Sequence, residues 1–170
     1  MMLSTERLIL RPYEDKDMDF LMSMLSDPEM VRFIGNGKIK DEIGAKQFMD
    51  WIYSAYEYGS EFGLHVMVLK GEDAPIGHAG LVPQQVEERN EIEIGYWVKR
   101  PYWGQGYATE IAAALKNFGL QELAEQRLIA LVQPGNVGSQ KVAEKIGMKI
   151  ENQIKLSGQD VFFYTVGESV

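Results

Sequence analysis

Glu91-Ile92-Glu93-Ile94-Gly95-Tyr96-Trp97-Val98 runs through Lys99-Arg100-Pro101-Tyr102 into Trp103-Gly104-Gln105-Gly106-Tyr107-Ala108-Thr109-Glu110. The reading of this stretch decides the fold. Ile92, Ile94, Tyr96 and Val98 alternate with Glu91, Glu93, Gly95 and Trp97, the period-two pattern of a strand. From Ala108 the period changes. Ala108, Ile111, Leu115 and Phe118 recur at helical spacing, which predicts a helix over residues 106–120. The loop between carries Pro101, Gly104 and Gly106. A strand, a glycine-bearing loop and a helix start together present free backbone N–H groups at a positive helix end, a site that favours a phosphate.

Spacing narrows which phosphate ligand is meant. A dinucleotide fold requires Gly-x-Gly-x-x-Gly, with an acidic residue about twenty positions on. Here Thr109 stands at the third glycine, and Glu125 falls before the next strand rather than at its end. The triphosphatase loop requires Gly-Lys followed by Ser or Thr, and the chain has no such run. Both nucleotide readings are therefore poorly served.

Working outward, residues 3–11 read as a first strand closed by Pro12, which cannot donate to a ladder. Asp15 or Asp17 is placed to cap a helix reaching residue 26, with Met18, Leu21, Met22 and Leu25 as its apolar stripe. Pro28 opens a short helical turn to about residue 34, broken by Gly35-Asn36-Gly37. Asp41 caps a longer helix in which Phe48, Ile52, Ala55 and Tyr56 recur, ending at Gly59. Residues 62–70 and 76–82 read as a strand pair, and residues 83–90 as a loop leading to the central strand. Residues 127–133 are almost continuously apolar, as a strand buried on both faces should be. A helix joins it to the central strand, so the two should run parallel. Asn136 or Ser139 caps a helix ending at Gly147, and residues 148–156 and 161–166 make a final hairpin about Ser157-Gly158. No repeat, low-complexity tract or second domain is visible.

At 170 residues and 45% apolar composition, the chain has material for one domain with a sizeable core. A net charge of −8 argues against a nucleic-acid partner, which asks for a basic face, and is compatible with an amine. The absence of cysteine excludes disulfides, thiolate metal sites and an acyl-cysteine intermediate, so acyl transfer would go directly to the acceptor or through another nucleophile. No apolar run reaches membrane-span length, and Glu6, Arg7 and Arg11 interrupt any signal-peptide core, so no membrane partner and a cytoplasmic location are expected. His65 and His78 sit in separate strand patterns and read as core or edge histidines rather than a metal pair.

Trp103-Gly104-Gln105-Gly106-Tyr107-Ala108 resembles the pyrophosphate signature (Gln/Arg)-x-x-Gly-x-(Gly/Ala) of the GNAT superfamily of acetyltransferases. With Thr109-Glu110 after it and Ile94-Gly95-Tyr96-Trp97 before it, the run looks most like the branch containing ribosomal-protein N-terminal (alanine) acetyltransferases. That branch often carries Trp where the wider superfamily has a cation. Asn136 through Ser139 and Ala143 to Gly147-Met148 resembles the second superfamily motif, and Thr5 to Pro12 resembles the first strand. The likeness spans nearly the whole chain. Ala143 stands where many relatives have a Tyr that protonates the leaving thiolate, a role left to Ser139 or a water.

The resemblance implies one α/β (α+β) domain over residues 1–170. Its mixed, mostly antiparallel central sheet would have six to seven strands and about four helices, with a parallel, splayed strand pair. It implies acetyl-CoA as cosubstrate, held by the backbone of Tyr96, Trp97 and Val98 and by Trp103, Gly104, Gln105, Gly106, Tyr107, Ala108 and Thr109, with Asn136 and Ser139 alongside. No metal is implied. A backbone N–H near Val98 would face the thioester oxygen. Glu93 is the candidate base, since it lies on the face opposite Ile92 and Ile94, and Ser139 is the candidate acid. The acceptor would be a primary amine: a protein N-terminus, or a small amine such as a polyamine or aminoglycoside. A non-catalytic acyl-CoA-binding module and a nucleotide-binding regulator are the readings from other classes. Monomer and homodimer both stay open.

Overall fold

β5 (Arg89–Val98) lies inside a single eight-stranded sheet, and every other element takes its place from that strand. The computed structural model describes residues 3–167, so the reading of residues 1–170 as one domain extends slightly past both ends of what is described. In chain order the elements are β1 (Leu3–Ser4), β2 (Leu8–Pro12), α1 (Met18–Leu25), α2 (Pro28–Val31), α3 (Glu42–Tyr58), β3 (Gly63–Leu69), β4 (Ala74–Val86) and β5. There follow α4 (Tyr107–Asn117), β6 (Arg127–Val132), α5 (Val137–Lys145), β7 (Lys149–Leu156) and β8 (Gln159–Gly167). The sheet order is β1-β2-β3-β4-β5-β6-β8-β7, and the β5–β6 neighbours are parallel while the rest are antiparallel.

The caps follow the sequence. The Asp41 carboxylate accepts from the Gly44 N–H at 2.8 Å to start α3, and Asp27 does the same for Glu29 at 3.0 Å in α2. One face of the sheet packs Leu8, Leu10, Met67, Leu81 and Ile94 against Ile111 and Leu115 of α4. The other packs Leu64, Val66 and Val82 against Leu21, Met24, Met49 and Ile52 of α1 and α3. Each fully buried aliphatic side chain contributes about 1.5–3 kcal/mol of transfer free energy. Both histidines lie within the core. His78 is wholly buried, accepts or donates at Nδ1 with the Tyr13 hydroxyl at 2.7 Å, and packs against the rings of Phe48 and Trp97. Burial pushes its pKa down to about 3, so it is neutral. Among the described residues no helix is long and apolar enough to cross a membrane.

Three features differ from the sequence reading. The sheet has eight strands rather than six to seven, because the N-terminal segment breaks at Thr5 and folds back as the two-residue β1 on β2. Among the described residues five α-helices stand where about four were expected, with the four-residue α2 making the fifth. Residues 83–90 are not a loop. β4 and β5 continue as a ladder out to Val86↔Arg89, closed by Glu87 and Glu88, both at positive φ (49° and 66°). That is the twist a two-residue hairpin needs, here adopted by side chains that ordinarily avoid it.

Candidate functional site

Register along β5 determines which backbone groups are available. The Lys99 N–H donates to the Ile76 carbonyl at 2.6 Å, and β4 pairs opposite β5 as far as Val86↔Arg89. In an antiparallel pair the hydrogen-bonding direction alternates. Glu93, Gly95 and Trp97 therefore turn their backbone groups to β4, whereas Ile94, Tyr96 and Val98 turn theirs to β6. β6 meets β5 at one residue pair, Glu93↔Ile129, and diverges beyond it. A cleft of about 740 Å³ opens between the strands. The backbone of Tyr96 and the Val98 N–H face it, while the Val98 carbonyl is taken by Trp103 Nε1. Trp97 lines the cleft too, while its backbone belongs to the β4 ladder and its ring packs on Phe48 and His78.

The loop after β5 closes one end of the cleft. Gly104 and Gly106 hold φ of 78° and 82°, a conformation that costs other residues about 1–2 kcal/mol. Gly106 is the N-cap of α4 and offers no side chain to the helix, so the first N–H groups of α4 are left to the cleft. Trp103, Gly104, Gly106, Tyr107, Ala108 and Thr109 line this end. Gln105 stands outside the lining, with its carbonyl turned to the Arg7 guanidinium at 3.0 Å. Glycine in the loop thus gives the close approach and the helix gives the positive end, an anion site of backbone.

The opposite wall is the start of α5. Asn136 Oδ1 accepts the Ser139 N–H at 3.2 Å and caps the helix, and both residues line the cleft. The Ser139 hydroxyl donates to the Tyr96 hydroxyl at 3.1 Å, and the Tyr96 hydroxyl donates to the Ser139 carbonyl at 3.1 Å. Burial pushes the Tyr96 pKa up to about 12, against the opposing effect of Ser139. The sequence reading assigned Tyr96 a backbone role only; its hydroxyl was missed, and the structure pairs it with Ser139.

Glu93 stands where the two strands part. Gln84 Nε2 donates to its carboxylate at 3.0 Å, and the Leu131 N–H of β6 reaches the same carboxylate. Burial raises its pKa to about 7, outweighing both donors. A carboxylate poised near neutrality, lining a cleft, can take a proton at physiological pH. Gln84 was missed by sequence reasoning because it fell in the supposed loop. A tight turn at Glu87-Glu88 would have placed it on the ladder one step from Glu93. The bond of Gln133 Nε2 to the Gly35 carbonyl at 2.8 Å ties the segment after α2 to the loop after β6 across the cleft's mouth.

Comparison with known proteins agrees with this geometry. The acetyltransferase (GNAT) domain family matches residues 7–149. The uncharacterised protein YkkB of Bacillus subtilis is 34% identical over 163 residues, which is 95% of this chain and 93% of that protein. The crystal structure of a GNAT-family acetyltransferase from Bacillus anthracis superimposes with a TM-score of 0.82 at 29% identity, covering 98% of each chain. RimL, a ribosomal L7/L12 alpha-N-protein acetyltransferase solved in complex with coenzyme A, gives a TM-score of 0.80 over 98% of each chain. At 14% identity, its likeness is one of fold.

Proposed function

The chain belongs to the GNAT acetyltransferase family, and from that membership we propose that it moves acetyl from acetyl-CoA directly to a primary amine, in the manner of the branch that acetylates protein N-termini. The observation that carries the reading is the single β5–β6 pair at Glu93↔Ile129. It leaves a strand edge exposed for an extended amide-bearing donor and sets a near-neutral carboxylate at the point of divergence.

Each residue then has a defined task. The backbone of Tyr96 would pair the pantetheine amides, since the Val98 carbonyl is taken by Trp103 and its N–H is kept for the thioester. The N–H groups of residues 103–109 would take the pyrophosphate, by backbone, since Trp103 carries no positive charge. Glu93 accepts the proton that the attacking ammonium must lose. The Val98 N–H faces the thioester oxygen as it becomes negative. As nitrogen bonds to the acetyl carbon and the carbon–sulfur bond breaks, the hydroxyl pair of Ser139 and Tyr96 delivers a proton to the thiolate and is reprotonated from solvent. With no cysteine in the chain, no acyl-cysteine intermediate can form. A free α-amine, with a pKa near 8, asks less of such a base than a lysine near 10.4, which favours an N-terminal acceptor. The same chemistry fits a cytoplasmic enzyme acting without a metal.

Calorimetric titration with acetyl-CoA beside CoA, NAD and ATP, followed by a panel of peptides and small amines read by free-thiol release, tests this. Selective binding of the CoA esters with turnover on peptide N-termini is the expected result. Turnover on a polyamine or aminoglycoside alone moves the acceptor to small molecules. Binding without any turnover makes the protein an acyl-CoA-binding module, and no CoA binding refutes the reading.

A further inference from the structure

Arg7, at the foot of β2, lies far in sequence from the loop it touches. Its Nη1 donates to the Gln105 carbonyl at 3.0 Å, its Nε to Glu110 Oε1 at 2.7 Å and its backbone N–H to Glu110 Oε2 at 3.0 Å. The Thr5 hydroxyl donates to the same Oε2 at 2.6 Å. The guanidinium lies 4.3 Å from the centre of the Tyr107 ring. Partial burial would raise the Glu110 pKa, but the donors from Thr5 and Arg7 outweigh it and hold the carboxyl below its ordinary range. Such a charge-assisted, fork-shaped arrangement is shorter and stronger than a neutral one.

The consequence lies in the Gln105–Gly106 peptide. In a trans peptide the C=O and N–H point in opposite directions. A guanidinium that holds the Gln105 carbonyl on the outer side of the loop therefore turns the Gly106 N–H the other way, where Gly106 lines the cleft. Gly106 itself, at φ 82°, has its Cβ direction 3.5 Å from Arg7 Nη2, and Tyr107 is covered by the same group. Arg7 touches the loop from behind and does not line the cleft.

We propose that Arg7, anchored by Glu110 and Thr5, is a positioning residue that orients the loop's N–H groups for the donor's phosphates. The inference rests on the acetyl-CoA reading. It predicts that Arg7 acts on the phosphate end of the donor alone. The experiment compares wild type, R7A and R7K in KM and binding for acetyl-CoA and for S-acetylpantetheine, which has the thioester arm and no phosphate. For R7A, affinity for acetyl-CoA should fall about tenfold or more, the scale of one hydrogen bond to a charged group, while S-acetylpantetheine is handled as before. R7K should not rescue, since one ammonium cannot bridge Glu110 and the Gln105 carbonyl together. Unchanged acetyl-CoA affinity in R7A, equal loss on both donors, or full rescue by R7K overturns the proposal. Should R7A not fold, E110Q reads the same split. A wild-type protein that binds no acetyl-CoA overturns the acetyl-CoA reading and this one together; normal wild-type binding with an indifferent R7A overturns this one alone.

Discussion

Glu91 and Glu93 stand on the same face of β5, one residue between them, and meet opposite surroundings. Glu91 is buried and held by two hydrogen bonds from the buried Arg127 at the first position of β6, which also reaches Glu151 at 3.3 Å. Glu93 has an amide and a backbone N–H for partners, no cation, and a pKa near 7. The first carboxylate closes the sheet; the second stands where the sheet opens. One strand therefore serves as a clamp at its beginning and as a reactive edge farther on, and the change occurs within a single turn of the pleat.

Three sets of substitutions break or sharpen that contrast. The largest effect should come from R127A, which strands the Glu91 charge in the interior and should destabilise the fold by about 3–5 kcal/mol in denaturant melts. The double change E91L/R127M should recover most of this, because an apolar pair of similar volume removes the stranded charge. If R127A melts like wild type, the clamp is not one. Next, E93Q should lower kcat about a hundredfold while leaving acetyl-CoA affinity intact, within the usual range for loss of a general base. The wild-type kcat/KM should climb with pH and level off above about 7, since Glu93 must be ionised to take a proton and its carboxyl is raised, not lowered. E93Q should lose that limb; a variant with normal turnover across pH would show Glu93 to be as structural as Glu91. The smallest effect, about tenfold in kcat, should follow S139A or Y96F, because either hydroxyl can still pass a proton with water in place of the other. Losses from the two that add in full in the double variant would show that the hydroxyls do not act as a pair.

The sequence carried much of this, and it is possible to say why. The period-two run of Ile92, Ile94, Tyr96 and Val98 fixed β5 and both of its faces, and the shift to helical spacing placed α4. The Asn136 cap and the parallel β5–β6 pair were equally legible, since capping and crossover handedness are local rules. What escaped lay in two kinds of feature. The Glu87-Glu88 turn has no glycine or asparagine to announce it, and its positive φ is sustained by the long ladder on either side. Arg7 with Glu110, and Gln84 with Glu93, are partners across the fold whose spacing follows no period. The register of β4 on β5 brings Gln84 to Glu93, and the packing of α4 against the sheet brings Glu110 to Arg7.

The parting of β5 and β6 also bears on how the chain folds. β1–β5 is a strip of chain neighbours, each pairing with the next, and β7–β8 is a hairpin. The β3–β4, β4–β5 and β7–β8 hairpins close short loops, and pairings that local form early, whereas β2 reaches β3 only across α1, α2 and α3. The join of β5 to β6 must wait for α4 to be threaded between, which makes it one of the non-local pairings of the sheet, with β2–β3 and β6–β8. One residue pair is all that this seam asks of it. By opening the cleft there, the chain keeps this non-local contact brief, and the same economy that spares the folding chain a long parallel ladder leaves a strand edge unspent for something other than the protein to complete.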